Sequence, residues 1–342
     1  MDKQITVRRH WLSFSVSISD LTVLFISVLF TLLVMWCSLA IGTLHVDVSA
    51  TLLNRFTPDA TSPFVVEMLR LPRMLMAALV GAALGCSGLV LQSMIRNPLA
   101  SPDIIGITSG ASAAAVCFLF FFKAILSIEW LPVFAIGGAF ITSLSIYLMS
   151  WHKGVTPMRL ILVGIGVSAF MGAIVTFLIA VSSESTSLTA YIWLTGSVYG
   201  ASWDDVKALA VWVLVSLILS LFFARKINVQ ELGDQTAVGL GIQLQSTRVC
   251  LLFLSVVMAA PAIAYAGAVS FVGLIAPHIA RRFVTRSFAL LMPMTACTGA
   301  CLVMLADLCG RTLFQPLDIP AGVFVSAIGA PFFIYLLYRQ RF

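Results

Sequence analysis

The chain has 342 residues, 60% of them hydrophobic and only 10% charged, with a mean hydropathy of +1.05. A soluble domain carries about 25% charged residues, so this composition excludes one, and the long apolar runs exclude a closed barrel of alternating strands. The net charge of +6 does not point to nucleic acid, because basic residues in a polytopic helical membrane protein mostly fix its orientation.

The N-terminus, residues 1–10, is basic, and residues 21–41 are apolar. This resembles a secretory signal. The apolar run is longer than a signal core, and no small-residue cleavage site clearly follows it, so it reads as the first membrane helix. The next stretch, Arg70 to Gly106, organises the rest. It opens on Arg70-Leu71-Pro72-Arg73, continues without an ionisable side chain from Met74 to Ile95, and ends in Arg96-Asn97-Pro98-Leu99-Ala100-Ser101-Pro102-Asp103. An uncharged run of that length crosses a bilayer core of roughly 30 Å. Its charged ends therefore belong on opposite sides of a membrane.

About ten spans are predicted, at residues 21–42, 68–95, 104–122, 131–151, 160–181, 206–224, 249–266, 269–280, 288–309 and 321–338. The run 249–280 is too long for one crossing and too short for two. Pro261, Gly267, Gly273 and Pro277 break it, which predicts one full helix, a tight reversal and one short helix.

Loop charges test the count. With the N-terminus inside, 14 basic residues fall inside: Lys3, Arg8, Arg9, Arg96, Lys153, Arg159, Arg225, Lys226, Arg248, Arg281, Arg282, Arg286, Arg339 and Arg341. Six fall outside: Arg55, Arg70, Arg73, Lys123, Lys207 and Arg311. That bias favours an even number of spans with both termini cytoplasmic. The outer segment 45–67 predicts a short surface helix. Residues 188–198 predict a helix lying at the interface, with Trp193, Tyr199 and Trp203 at headgroup level. The chain reads as one transmembrane domain, residues 1–342, with a cytoplasmic N-terminal segment (1–20) and a cytoplasmic loop (225–248).

Gly81, Gly85 and Gly88 share a helix, as do Gly164, Gly166, Ser168 and Gly172. Small residues at spacings of three and four let backbones approach closely. The same faces fit either helix packing or a translocation pathway. The seven cysteines lie almost entirely in apolar spans and read as packing residues. The four histidines are scattered and form no metal-ligand pattern.

The middles of the spans hold no Asp, Glu, Lys or Arg. Proton- and ion-coupled carriers usually keep such groups as relays. The chain also lacks a Gly-x-x-x-x-Gly-Lys-Ser/Thr loop for ATP. If energy is spent, a partner supplies it. In the inside loop, Glu231-Leu232-Gly233-Asp234-Gln235-Thr236-Ala237-Val238-Gly239-Leu240-Gly241 predicts a short helix capped by Asp234 and stopped by Gly241. Such a projection fits a groove on another protein.

These segments resemble, in order and over roughly residues 65–337, the permease subunits of iron-siderophore and vitamin B12 importers, the FecCD family. The resemblance rests on Arg70-Leu71-Pro72-Arg73, Arg96 to Asp103, Trp193-Leu194-Thr195-Gly196-Ser197, and the Leu232–Gly241 loop. Further along it rests on Phe271-Val272-Gly273-Leu274 with Pro277-His278, Ala306-Asp307-Leu308 and Pro320-Ala321-Gly322-Val323. The Ser101-Pro102-Asp103 variant and the Trp193–Ser197 run resemble the ferric-siderophore branch. The 276–282 and 307–316 regions resemble a catecholate-siderophore permease.

The resemblance implies the all-α membrane fold of a type II ABC importer permease, with about ten helices. It implies two permease subunits, identical or paralogous, two cytoplasmic ATPases and a periplasmic siderophore-binding protein in the bacterial inner membrane. This chain then binds no cofactor itself; ATP and Mg sit on the ATPases, and the chain is not an enzyme. By residue, the resemblance assigns docking of the binding protein to Arg70, Arg73 and Arg311, with Asp307 one turn away holding Arg311. It assigns the cytoplasmic gate to Asn97 and Leu99, and ATPase coupling to Leu232, Gly233, Asp234, Ala237, Leu240 and Gly241. A second family gate falls near Pro157 and Met158, where this sequence departs from the vitamin B12 pattern, so none is assigned there. Ser87, Gln92, Ser168 and Thr176 are candidate pathway-lining residues. The expected cargo is an intact ferric-siderophore. Vitamin B12 or haem carried by the same fold, and a secondary transporter acting alone, are the alternatives.

Overall fold

The computed structural model describes residues 4–9, 12–42, 64–284 and 287–339. A two-stranded antiparallel hairpin, β1 (Gln4–Arg9) and β2 (Leu12–Ser17), precedes the helices. Elsewhere the described chain is helical, so the hairpin is a small departure from the all-α expectation. The helices are α1 (Ile18–Ala40), α2 (Leu71–Ile95), α3 (Ile107–Phe121), α4 (Leu131–Met149), α5 (Pro157–Val181) and α6 (Glu184–Thr195). They continue as α7 (Trp203–Glu231), α8 (Asp234–Gly239), α9 (Leu244–Ala266), α10 (Val272–Phe283), α11 (Phe288–Thr312) and α12 (Ala321–Arg339). Ten of them fall on the predicted spans. Eight are long and apolar enough to cross a membrane, counting the π-helical turn Val65–Arg70 with α2; α3 is shorter. The surface helix predicted within 45–67 lies mostly outside the described residues.

Helix α2 is the hub. It packs against α7, α9, α10 and α11, and its most apolar window is 78% buried. Its first half (Met76, Ala77, Val80) joins one apolar cluster with Phe118, Ile263 and Val303. Its second half (Leu89, Leu91, Met94) joins another with Leu160, Ile227 and Leu251. Glycine makes this density attainable. A Cβ on Gly81 would overlap the Gly299 carbonyl of α11, and one on Gly88 the Gly273 carbonyl of α10. The small-residue face of α2 is therefore a helix-packing face.

At the periphery the pattern inverts. The windows of α1 and α5 are only 17% and 11% buried, and Phe25, Leu33, Phe170 and Phe177 are exposed. Helices satisfy their own backbone, so apolar faces turned outward suit a bilayer as solvent.

Three boundaries differ from expectation. Helix α7 runs seven residues past Ala224, because no Gly or Pro stops it before Gly233; most of the segment 225–248 is therefore helix, with only 232–243 outside the two long helices. Pro261 lies inside α9 and Pro277 inside α10 without ending either. The reversal between them uses two left-handed residues, Phe271 at φ +66° and Gly267 at φ +74°, where a side chain on Gly267 would also strike the Trp193 carbonyl. Helix α10 then runs three residues beyond the predicted end at Ala280.

Candidate functional site

Two polar assemblies sit at the two ends of α2. At its N-terminal end, Arg73 is bound by two carboxylates. Its guanidinium lies 2.8 Å from Asp307 of α11 and 2.6 Å from Asp318 of the following loop. Asp307 is 2% exposed, and Arg311 approaches it at 3.6 Å. Asp307 therefore serves Arg73 first and Arg311 second, rather than Arg311 alone. Arg311 also donates to the Ser38 carbonyl and, at 2.9 Å, to the Ser38 hydroxyl. Arg70 donates to the Leu39 carbonyl at 2.8 Å. Helix α1 has no basic residue in its own last turn, so these two arginines supply the cations that a helix C-terminus favours.

Arg70 is buried at this end. The docking charge expected of it is turned onto α1, and the partly accessible guanidinium edges belong to Arg73 and Arg311. With Tyr199, whose ring centroid lies 5.4 Å from the Arg73 guanidinium, they border a cleft of about 610 Å³. Asp318 carries no sequence signal, and Tyr199 reads from the sequence only as a headgroup-level aromatic; both sit in loops with no periodicity to mark them. The Asp307 carboxylate faces two guanidiniums in a dry site. Removing one partner of a buried pair costs about 3–5 kcal/mol. Asp307→Ala is thus expected to lower the thermal midpoint in detergent markedly, whereas Asp204→Ala, in an exposed pair with Lys207, is expected to leave it within error.

At the C-terminal end, α2 stops at Arg96, which takes the left-handed conformation (φ 56°) as its C-cap. The loop then folds on itself. The Asn97 side-chain oxygen accepts from the Leu99 amide at 2.9 Å, and the Ala100 amide donates to the Asn97 carbonyl at 3.1 Å. Leu99 packs on Leu274, Ile275 and Leu336. Asn97 and Leu99 are half-buried. Asp103, further along, accepts from the Thr108 hydroxyl at 2.6 Å. Burial pushes its carboxyl above the usual range, and that hydrogen bond and others from the Phe271 backbone and Ser101 pull it back.

The loop after α7 meets this end of α2. Helix α8 lies one residue earlier than expected at both ends, with Gly233 (φ 116°), not Asp234, as its N-cap and Leu240 as its C-cap. The Asp234 carboxylate is taken by two arginines instead, Arg96 and Arg248, each at 2.8 Å. Arg248 donates onward to the Val155 carbonyl at 2.9 Å, just before α5. Glu231 accepts from the Ser93 hydroxyl at 2.8 Å and faces Arg281 of α10 at 3.8 Å. Gly241, at φ +84°, turns the chain after α8. Ala237 is buried against the body, while Leu232, Val238 and Leu240 are exposed. A small apolar face is thus left uncovered among the described residues.

The four lining candidates separate. Ser87 is 0% exposed and bonds the Ser255 carbonyl and hydroxyl at 2.9 and 2.7 Å; Gln92 is 3% exposed and donates to the Gly273 carbonyl at 3.3 Å. Both are interhelical ties inside the bundle. Ser168 accepts from the Ser109 hydroxyl at 3.1 Å and is partly accessible. Thr176 is exposed on α5 and bonds the Gly172 carbonyl of its own helix at 3.0 Å. Gly166 and Gly172 lie on the open face of α5, with nothing within 4 Å of an added Cβ.

A densely packed helical hub with charged assemblies at both ends, and a short exposed helix beyond one of them, is the architecture of an ABC transporter permease. A solved transporter described as metal-chelate type, in an inward-facing conformation, superposes with a TM-score of 0.84 at 32% identity, covering 93% of this chain and 99% of that one. The chain belongs to the FecCD transport family, whose model matches residues 29–339. An achromobactin transport system permease protein of Dickeya dadantii is 50% identical over 343 residues, 100% of this chain and 98% of that protein. An iron(3+)-hydroxamate import permease of Bacillus subtilis is 39% identical, covering 94% of this chain and 98% of its own length. The ferric enterobactin permease of Escherichia coli is also 39% identical, covering 81% of this chain and 83% of its own.

Proposed function

We propose that this chain is the permease subunit of an ATP-driven importer that passes an intact ferric-siderophore from periplasm to cytoplasm across a bacterial inner membrane. The observation that carries the proposal is full-length identity of 50% to a permease named for achromobactin, with further relatives named for hydroxamate, citrate and enterobactin chelates of iron. Because those chelates differ in chemistry, the finer assignment to catecholates has no separate support, and first-order selection belongs to the binding protein.

In this reading the Arg73 end of α2 faces the periplasm and the Arg96 end the cytoplasm. Two ATPases, carrying ATP and Mg, seat on the α8 projections of this chain and of a second permease subunit. The exposed Val238 and Leu240 beside buried Ala237 support that seating, since an apolar face on a polar loop fits a groove. Nucleotide binding shifts the permease between conformations. The chain then needs no cofactor of its own. The test is reconstitution with the ATPases and binding protein in liposomes: ATP-dependent entry of a labelled ferric-siderophore is expected, and entry of vitamin B12 or haem alone would contradict the cargo assignment.

Arg73 and Arg311 are the guanidiniums placed to meet carboxylates of the binding protein. Rim charges act mainly on encounter. The double variant Arg73→Gln/Arg311→Gln is expected to slow association of the binding protein about tenfold at low salt, and far less at high salt. Equal association rates at low salt, in variants that keep their detergent elution profile, would remove the docking assignment.

A further inference from the structure

Two carboxylates flank Gly233, one on each side of the turn into α8. Glu231 ends α7, and Asp234 begins α8. Both reach the same turn of α2. Glu231 takes Ser93 and Asp234 takes Arg96, each at 2.8 Å. Residues three apart share a helix face, so the loop holds α2 at two adjacent points. The same two carboxylates also collect Arg281 of α10 and Arg248 of α9, and Arg248 carries the contact to Val155 before α5. One residue beyond Arg96 the Asn97–Leu99 loop begins. Among the described residues the ion pairs of α8 run to Arg96 at the end of α2 and to Arg248 of α9, and only the first leads directly into that loop.

We propose that Glu231 and Asp234 are a clamp through which the α8 loop grips the last turn of α2, delivering movement of α8 to the Asn97–Leu99 loop. The inference rests on the transport reading above and adds positioning residues to it: Arg96, Arg248, Ser93 and Arg281 act through the loop, not on cargo. The geometry favours transmission over simple stabilisation. Arg96 and Asp234 keep about a third of their side-chain surface accessible (34% and 37%), where a pair adds little to folding. Yet the bridge spans two segments separated by more than a hundred residues of sequence and ends next to the gate candidate. An ion pair in series with a helix conveys displacement even where it adds little stability.

Arg96 permits a clean test, because its backbone is left-handed. Asn tolerates that conformation, so Arg96→Asn keeps the helix cap and removes the guanidinium, while Arg96→Lys keeps a charge. The reconstituted complex with ATPases, binding protein and a ferric-siderophore is assayed for chelate moved per ATP hydrolysed. Arg96→Asn is expected to lower that ratio about three- to fivefold, the factor a partly exposed charge pair supplies, with the thermal midpoint retained; Arg96→Lys is expected to recover most of it. Adding Asp234→Asn to Arg96→Asn should lower the ratio no further than Asp234→Asn does alone, because Asp234→Asn already removes the Arg96 bridge together with the one to Arg248. A ratio for Arg96→Asn equal to that of the unaltered chain, or effects that multiply in the double variant, would overturn the clamp. If the unaltered complex moves no chelate on ATP, the transport reading falls, and the clamp with it.

Discussion

Gly88→Ala is expected to prevent the chain from accumulating as a folded membrane protein. The added Cβ would overlap the Gly273 carbonyl, and the atoms on both sides are backbone. No rotamer relieves that contact. Ordinary overpacking costs about 1–3 kcal/mol because side chains give way; here α10 must leave α2 as a unit. The displacement would also pull the Gly273 carbonyl from Gln92 and disturb Pro102, which approaches the same glycine. Gly166→Ala is the matched control. Nothing lies within 4 Å of its added Cβ, so wild-type yield and thermal midpoint are expected. Fluorescence-detected size exclusion on detergent extracts separates the outcomes. A monodisperse Gly88→Ala peak of wild-type height and midpoint would contradict the close approach of α2 and α10.

Val238→Pro is expected to abolish uptake while leaving the transmembrane body intact. Val238 is the fifth residue of the six-residue helix α8, is exposed, and contributes nothing to either large apolar cluster. Proline removes its amide hydrogen and drives the ring against the carbonyl four residues back, at about 3 kcal/mol. That carbonyl belongs to Asp234. Three kcal/mol is roughly a hundred-fold in the population of the helical loop, and a six-residue helix has few other bonds to spread the cost over. Expression and thermal midpoint are expected to match the unaltered chain, with uptake in reconstituted vesicles at the background level. Normal uptake with proline at this position would mean that α8 does not couple the subunits.

Much of the fold was legible because apolar runs and bilayer thickness leave few solutions. The ten predicted spans and the short helix at 234–239 all correspond to helices, and the stretch from Arg70 onward is indeed the hub. What failed has physical causes. Pro261 and Pro277 read as breakers, but a proline inside a packed membrane helix is tolerated when neighbours take up the freed backbone groups. The end of α7 was set too early because the charges Arg225 and Lys226 resemble a loop, although nothing there stops a helix. Asp234 fits a capping pattern in sequence, and only the approach of Arg96 and Arg248, 138 and 14 residues away, claims its carboxylate instead. Ser87 and Gln92 show why small polar residues are ambiguous. The spacing that lets a hydroxyl face water also lets it bond a neighbouring helix, and sequence carries no sign of which face is covered. Arg70 does lie at the N-terminal end of α2, but its inward turn depends on where α1 stops, which no local signal fixes.

The central claim is that this permease opens only when nucleotide-consuming subunits drive it from the α8 side. Purified chain in liposomes, with and without the ATPases, binding protein and ATP, is the direct measurement, read as entry of a labelled ferric-siderophore. Entry that requires every component, and vanishes when ATP is replaced by ADP, is the predicted result. Entry through the chain alone, under an ion gradient or none, would contradict it.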